Sequence, residues 1–194
     1  MSSFLIFLIV IGVVVFWAIA IYNGFIKLRT QTDEAWADID VQLKRRYDLI
    51  PNLIETVKGY ASHEKETFNQ VTAARTQATQ INIDPTKVTA EQMKDFSAKQ
   101  GELSQALGRL IAISENYPDL KASQNFSELQ KELSDTENKI QAARRFYNTN
   151  VRDLNIKVES IPSNIIANLA KITKREFFEL EEGSVERENV QVKF

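Results

Sequence analysis

The chain has no cysteine and a single histidine, His63. The first absence excludes disulfide frameworks, thiolate metal sites and thiol nucleophiles. The second excludes two-histidine zinc motifs and paired Glu-x-x-His di-iron sites. Chain breakers are scarce too: six glycines and four prolines in 194 residues, about 5% where roughly 12% is usual. That argues against a turn-rich β fold and for long helices. No glycine-rich phosphate loop, G-x-S-x-G elbow or dinucleotide fingerprint occurs. Nor does charge of one sign dominate. The 24 Lys and Arg against 26 Asp and Glu leave a net charge of −2, without the basic excess of a nucleic-acid binder. A catalytic residue, cofactor, metal or small-molecule substrate therefore has nothing to point to it, and a non-enzyme of one domain is expected.

What is present begins with Phe4 to Tyr22, an uncharged run of 19 residues. As a helix it spans about 28 Å, close to the ~30 Å hydrocarbon core of a bilayer. Trp17 and Tyr22 stand toward its end, where amphipathic aromatics suit the interface. The alternative is a cleaved signal peptide, since Ala18-Ile19-Ala20 has an A-x-A pattern. Yet Met1-Ser2-Ser3 carries no basic residue, and the run exceeds the usual apolar region of about 7–15 residues. A retained transmembrane anchor over residues 1–26 is the expectation. Lys27, Arg29, Lys44, Arg45 and Arg46 all follow the run, so the positive-inside rule puts the C-terminal domain in the cytoplasm.

From Lys27 onward apolar residues recur at spacing seven. One row reads Trp36, Leu43, Ile50, Val57, Glu64, Val71, Ala78, and its companion reads Ile39, Arg46, Leu53, Tyr60, Thr67, Ala74. Further rows run through Phe96, Leu103, Leu110, Tyr117 and through Phe126, Leu133, Ile140, Tyr147, Leu154. Period-two alternation is absent, so three long amphipathic helices are expected. Asn82-Ile83-Asp84-Pro85 breaks the first, with Pro51 inside it as a kink. Thr89 and Gln92 form a capping box for the second, and Asn116 to Asp119 ends it. Ser123 or Asn125 caps the third. A shorter fourth opens at Ser160-Ile161-Pro162 and runs through Ile172 toward Phe177-Phe178. The fold class is all-α: a transmembrane helix continuing into an elongated antiparallel bundle over 27–180, then a flexible tail over 181–194.

Helix lengths raise a geometric problem. Residues 30–79 as one helix make about 75 Å and residues 89–116 about 42 Å. The second helix then ends near the level of Asn52, and the third travels away from the membrane again. Trp36, Ile39 and Leu43 are left uncovered on the membrane-proximal stalk, which marks them as an oligomer interface. A homo-oligomer with parallel first helices is expected. The alternative is that the C-terminal segment folds back over the stripe.

Several blocks resemble the LemA family: Tyr22-Asn23-Gly24-Phe25, the run from Trp36 to Leu53 containing RRYDLIPNL, and Val57 to Glu64. Arg75, Tyr117-Pro118-Asp119-Leu120, Thr136-Glu137-Asn138, Arg144-Arg145-x-Tyr147-Asn148, Pro162 and Phe177-Phe178 extend the likeness over nearly the whole chain. The resemblance implies a bacterial, membrane-anchored helical bundle and no reaction. Genes of the family neighbour those for TPM-domain proteins and membrane metalloproteases, which implies an envelope complex with such a partner.

Individual polar residues have bland and sharp readings. Arg45 and Arg46, with Asp48 close by, form either an anion or headgroup site or a solvated helix surface. Arg46 stands in an apolar row, so its stem lies along the interface with its head paired or snorkelling. Glu64 is a second intruder on an apolar row; beside His63 it makes no HExxH, because Thr67 stands where the second histidine belongs. The antiparallel arrangement pairs Glu64 with Arg144 or Arg145, near Glu137, as an inter-helix lock. Asn148, Asn150 and Asn155 are exposed polar residues near a helix end or register-setting amides. The closing Val192-Lys193-Phe194 has the form of a carboxylate-anchored strand for a PDZ-type groove, against a default of a free or bundle-docked tail. The function expected is a membrane-anchored scaffold or adaptor that self-associates through its stalk. The alternative is a signalling or stress-response regulator hinged at Pro51.

Overall fold

The computed structural model describes residues 2–178. These form six α-helices and one 3-10 turn, with no strand among the described residues. Helix α1 (Ser2–Lys58) is 57 residues long, about 85 Å at 1.5 Å per residue. Its first stretch is apolar and exposed on all sides; among the described helices it alone is long and apolar enough to cross a membrane. From Phe25 the helix becomes one-sided, burying Phe25, Ala35, Ile39, Leu43, Arg46, Ile50, Leu53 and Val57 at helical spacing.

Helix α1 passes Pro51 without a break. Proline has no N–H, so the carbonyl of Tyr47, four residues back, loses its helical partner. Arg75 supplies a replacement: its Nε donates to Tyr47 O at 2.9 Å. The apolar rows therefore continue in register on both sides of the proline, with Ile50, Leu53 and Ile54 in one core.

The expected single helix over 30–79 is corrected at Gly59. Helix α1 ends at Lys58, the chain turns through residues 59–64, and α2 (Lys65–Gln80) runs back the other way. Spacing seven survives the corner because Val57, Ala61, Phe68 and Val71 enter the same core from both sides. Helix α3 (Ala90–Ala112) opens on the expected capping box: Gln92 N donates to Thr89 Oγ1 at 3.2 Å, and Thr89 N donates to Gln92 Oε1 at 3.0 Å. A 3-10 turn (Ile113–Asn116) and α4 (Pro118–Lys121) cross the distal end to α5 (Gln124–Glu159), where Ser123 Oγ accepts from Phe126 N.

Helix α5 descends along α1 toward its apolar end, opposite to the direction expected for the third helix. Arg46 meets Glu137, Trp36 meets Tyr147, and Phe25 shares a cluster with Leu154. The 36 residues of α5 make about 54 Å, enough to reach from the distal turn to the base. The shorter α2–α3 hairpin covers the distal half. Three core clusters stack along this axis: a distal one around Leu53, Leu103, Leu110 and Phe126, a middle one around Ile39, Phe96 and Tyr147, and a base of Phe25, Leu154 and Ala167.

The fourth helix is shorter than expected. Helix α6 (Ser163–Leu169) stops well before Phe177-Phe178. Lys171, with φ +55, takes the left-handed position that glycine usually fills. Lys171 N then donates to Asn168 O at 3.2 Å and Ile172 N to Ala167 O at 2.9 Å, closing the helix in a Schellman motif. Residues 172–178 climb back along α5, held by two asparagines. Asn155 donates to Arg175 O and accepts from Arg175 N, both at 2.9 Å. Asn148 does the same for Phe178 O and Phe178 N, at 3.0 and 2.9 Å. Seven helical residues rise about 10.5 Å and three extended ones about 10 Å, so the two clamps fall in register. Asn148 and Asn155 are thus neither exposed residues near a helix end nor core register locks; they stand in for a strand partner.

Arg75→Ala is expected to cost about 1–2 kcal/mol in thermal or denaturant unfolding, by leaving the Tyr47 carbonyl unpaired. In the Pro51→Ala background, where residue 51 regains its N–H, the same change should cost less than half as much. Equal costs in both backgrounds would refute the substitution of one donor for the other.

Candidate functional site

The most polar part of the interior lies where α1, α3 and α5 meet. Arg46 is 1% exposed, and its guanidinium is held from two helices. Nη1 donates to Glu137 Oε2 on α5 at 2.9 Å and to Ser104 Oγ on α3 at 3.1 Å; Nη2 donates to Gln100 Oε1. Gln100 Nε2 in turn donates to Tyr47 Oη at 2.7 Å, whose own proton faces Gln100 Oε1 at 3.0 Å and Ala78 O at 3.4 Å. One arginine thereby connects all four long helical segments, α2 through Tyr47 and Ala78. Arg46 Nε has no hydrogen-bond partner among the described residues. Burial pushes the Tyr47 phenol above its ordinary pKa of 10.0, against the opposing effects of Gln100 and Arg46.

A second buried arginine locks the C-terminal segment to α1. Arg175 Nη2 donates to Asp33 Oδ1 at 2.9 Å, across 142 residues of sequence. Beside it Trp36, Phe96, Tyr147 and Phe178 form an aromatic cluster with ring centroids 5.2 to 6.1 Å apart. The Arg144 guanidinium lies over the Phe178 ring at 4.2 Å. Tyr147 Oη donates to Glu176 O at 3.0 Å, and burial raises the phenol to about 12.

The stripe expected to be bare is therefore covered within the chain. Ile39 and Leu43 are buried and Trp36 half-buried, against Met93, Phe96, Ile140, Tyr147 and Phe178. The expected gap disappears because the helix breaks at Gly59 and α5 runs downward, and because the C-terminal segment folds back. Arg46 and Glu137 are brought together. Glu64 is not joined to Arg144 or Arg145: it accepts from Tyr117 Oη at 3.2 Å near the distal turn. The α1–α5 register puts the two arginines roughly 30 Å away from it, near the level of Ile39. Arg45 and Arg145 are exposed. Asn150 is buried with its Nδ2 unpaired among the described residues. Residues Val192 to Phe194 lie outside the described residues.

Sequence reading gave Arg75, named only for the family likeness, no structural role, and it did not single out Gln100 or the Asp33–Arg175 pair. A signal existed for Arg75, since any proline inside a helix orphans the carbonyl four residues earlier. Asp33 and Arg175 offered none, because both look like ordinary surface charges. The polar groups face one another across helix seams. An open hollow of about 280 Å³ at the foot of the α2–α3 hairpin is lined by Ile81, Ile83, Asp84, Lys87, Gln92 and Asp95 among others. There Thr86 donates twice to Asp84 Oδ1, which lowers the Asp84 pKa and ties the carboxylate into its own turn. No group of three His, Asp or Glu that could hold a metal occurs among the described residues.

Fold and interior together define a class: an all-helical protein whose bundle continues from a helix apolar enough to span a membrane, knit by buried arginines. The LemA family model matches residues 35–194, and the chain belongs to the LemA family. Protein LemA of Metamycoplasma hominis is 26% identical over 186 residues, covering 96% of this chain and 80% of that protein. Magnetosome proteins MamQ 1 and MamQ 2 of Paramagnetospirillum magneticum are each 25% identical over 189 residues, covering 88% of this chain and 70% of theirs.

Arg46→Ala is expected to destabilise the detergent-solubilised protein by about 3–5 kcal/mol, since Glu137 and Gln100 lose their shared partner in the interior. Arg46→Met combined with Glu137→Leu should recover most of that loss in the same unfolding measurement.

Alkaline pH provides a second check. The raised Tyr147 pKa means that the folded state holds the phenolic proton more tightly. Its contribution is complete below pH 10 and is lost as pH rises through about 12. Tyr147→Phe should be less stable than wild type at neutral pH by about 1 kcal/mol, through the lost bond to Glu176. Between pH 10 and 12 the wild type should then lose about 2 kcal/mol more than the variant, which shares the raised Tyr47, reversing the order of the two unfolding midpoints.

Proposed function

We propose that this LemA-family protein is a non-enzymatic, membrane-anchored scaffold or adaptor of the bacterial cell envelope, with its bundle on the cytoplasmic side. The observation that carries this reading is the continuity of α1, which runs from the apolar stretch into the bundle core without a break. A helix of that kind fixes the orientation of the bundle to the bilayer, as a mounting for partners requires. The buried charges support the same reading, because Arg46 is used to join helices and Arg175 to join the C-terminal segment to α1. Basic residues after the apolar stretch, and none before it, support the cytoplasmic side. Self-association through Trp36, Ile39 and Leu43 is not part of this reading, since Ile39 and Leu43 are buried and Trp36 half-buried in the chain's own core. A regulator hinged at Pro51 is the less favoured reading, because Ile50, Leu53 and Ile54 pack into one core across the proline.

Crosslinking in native membranes followed by mass spectrometry tests the adaptor reading. Reproducible links from exposed bundle lysines to one or a few membrane proteins are expected, with a membrane protease or TPM-domain protein as the foremost class. A bundle that links to no other protein under conditions where known complexes are captured would overturn it. Links recovered only from periplasmic proteins would reverse the assigned side.

A further inference from the structure

We propose that the base of the bundle is a second membrane contact, in which the Ile161 turn and the outer face of α6 lie in the interfacial layer of the bilayer that α1 crosses. The inference rests on the anchored reading above and concerns a surface that the anchor does not include. Ile161, Ile165 and Leu169 are 84%, 58% and 77% exposed. Their spacing of four sets them on one side of α6 and its entry turn. Elsewhere in the bundle Val41, Tyr60, Phe146 and Ile156 are exposed at scattered positions, whereas these three follow one another on one face, which calls for an apolar or interfacial solvent.

The fold places this face at bilayer level. Opposite faces of α6 are unlike: Ser163 and Ala167 are buried, and Ala167 packs with Phe25 and Leu154. Ile21, one residue before the end of the apolar run, joins Ile166, Val158 and Ile172 around the same cluster. The last turn of α5 reaches Gly24, where Lys157 Nζ occupies the space that a Cβ would need, and the ammonium stands 5.0 Å from the Phe25 ring centroid. Residues 160–169 thus begin beside the last turn of the apolar run. Continuity with that run selects lipid as the occupant in preference to a protein. Flanking charge fits too. Lys27, Arg29, Lys171 and Lys174 are exposed at this end of the bundle, at a height suited to anionic headgroups. Lys174 also pairs with Glu159 at 2.7 Å. The geometry gives the rod two points of attachment, α1 through the bilayer and α6 upon it, which prevents free swivelling about the anchor.

The chain has no native cysteine, so single substitutions can carry a polarity-sensitive fluorophore in the full-length protein. Ile161→Cys, Ile165→Cys and Leu169→Cys would be compared with Ala112→Cys at the distal end and Val13→Cys in the apolar run. Each labelled protein would be reconstituted in phosphatidylcholine–phosphatidylglycerol vesicles containing lipids spin-labelled near the headgroup or deep in the chain. The expected result is blue-shifted emission at residues 161, 165 and 169 with quenching mainly by the shallow spin label. Residue 112 should stay water-like, and residue 13 should be quenched by the deep label. Water-like emission at all three α6 positions, with residue 13 quenched, would overturn the second contact and leave the anchor standing. A blue shift there without lipid quenching would overturn it in favour of a protein partner or second copy. Absence of quenching at residue 13 would overturn the anchor and the contact together.

Discussion

The antiparallel contact between α1 and α5 carries every other part of the bundle. These two helices alone extend from the base cluster at Phe25 and Leu154 to the distal core at Leu53 and Phe126. The α2–α3 hairpin is too short to do so and adds its apolar face to the distal half. The lower half is closed by a different device, a non-helical segment laid in the seam. That division follows from helix lengths of 57, 36, 23 and 16 residues, since rise per residue leaves no alternative way of covering the seam.

Backbone polarity explains the residues that look out of place. A buried segment outside helix and sheet must have its N–H and C=O groups satisfied by side chains. Asn148 and Asn155 do this, each offering a donor and an acceptor to one backbone unit. Arg75 does it for the carbonyl that Pro51 strands. Lys171 closes α6 where a glycine is usual, at a conformational cost that the Ile172–Ala167 bond and the packing of Ile172 offset. The buried arginines belong to the same economy of pairing. A desolvated guanidinium contributes little net stability, but it penalises any helix register that misses its partners. Arg46 tests α1 against α3 and α5 at once, and Arg175 tests the terminal segment against α1.

The apolar stretch and the bundle share one helix. The helix is apolar all round for 19 residues and then one-sided, and its core begins with Ile21 and Phe25 just where the apolar run ends. No loop therefore separates the apolar stretch from the bundle.

Composition and periodicity determined a good deal unaided. The all-helical class, the membrane-competent run, the helix stop before Pro85, the Thr89 capping box and the cap at Ser123 are local properties, set by interactions within a few residues. Apolar rows through Ile39, Leu43, Ile140 and Tyr147 correctly marked core faces. Which face met which was decided only by the tertiary structure. The corner at Gly59 hides in the sequence because both of its arms feed one core, so the seven-residue spacing runs on across it. A continuous helix through residue 59 would point the third helix the wrong way, leave Trp36 bare and set Glu64 beside arginines that lie toward the other end of the rod. Asp33 and Arg175, or Asn148 and Phe178, become neighbours only after long loops of chain are closed. No local pattern records a pairing whose energy comes from being desolvated together, and so these contacts are visible in the fold alone.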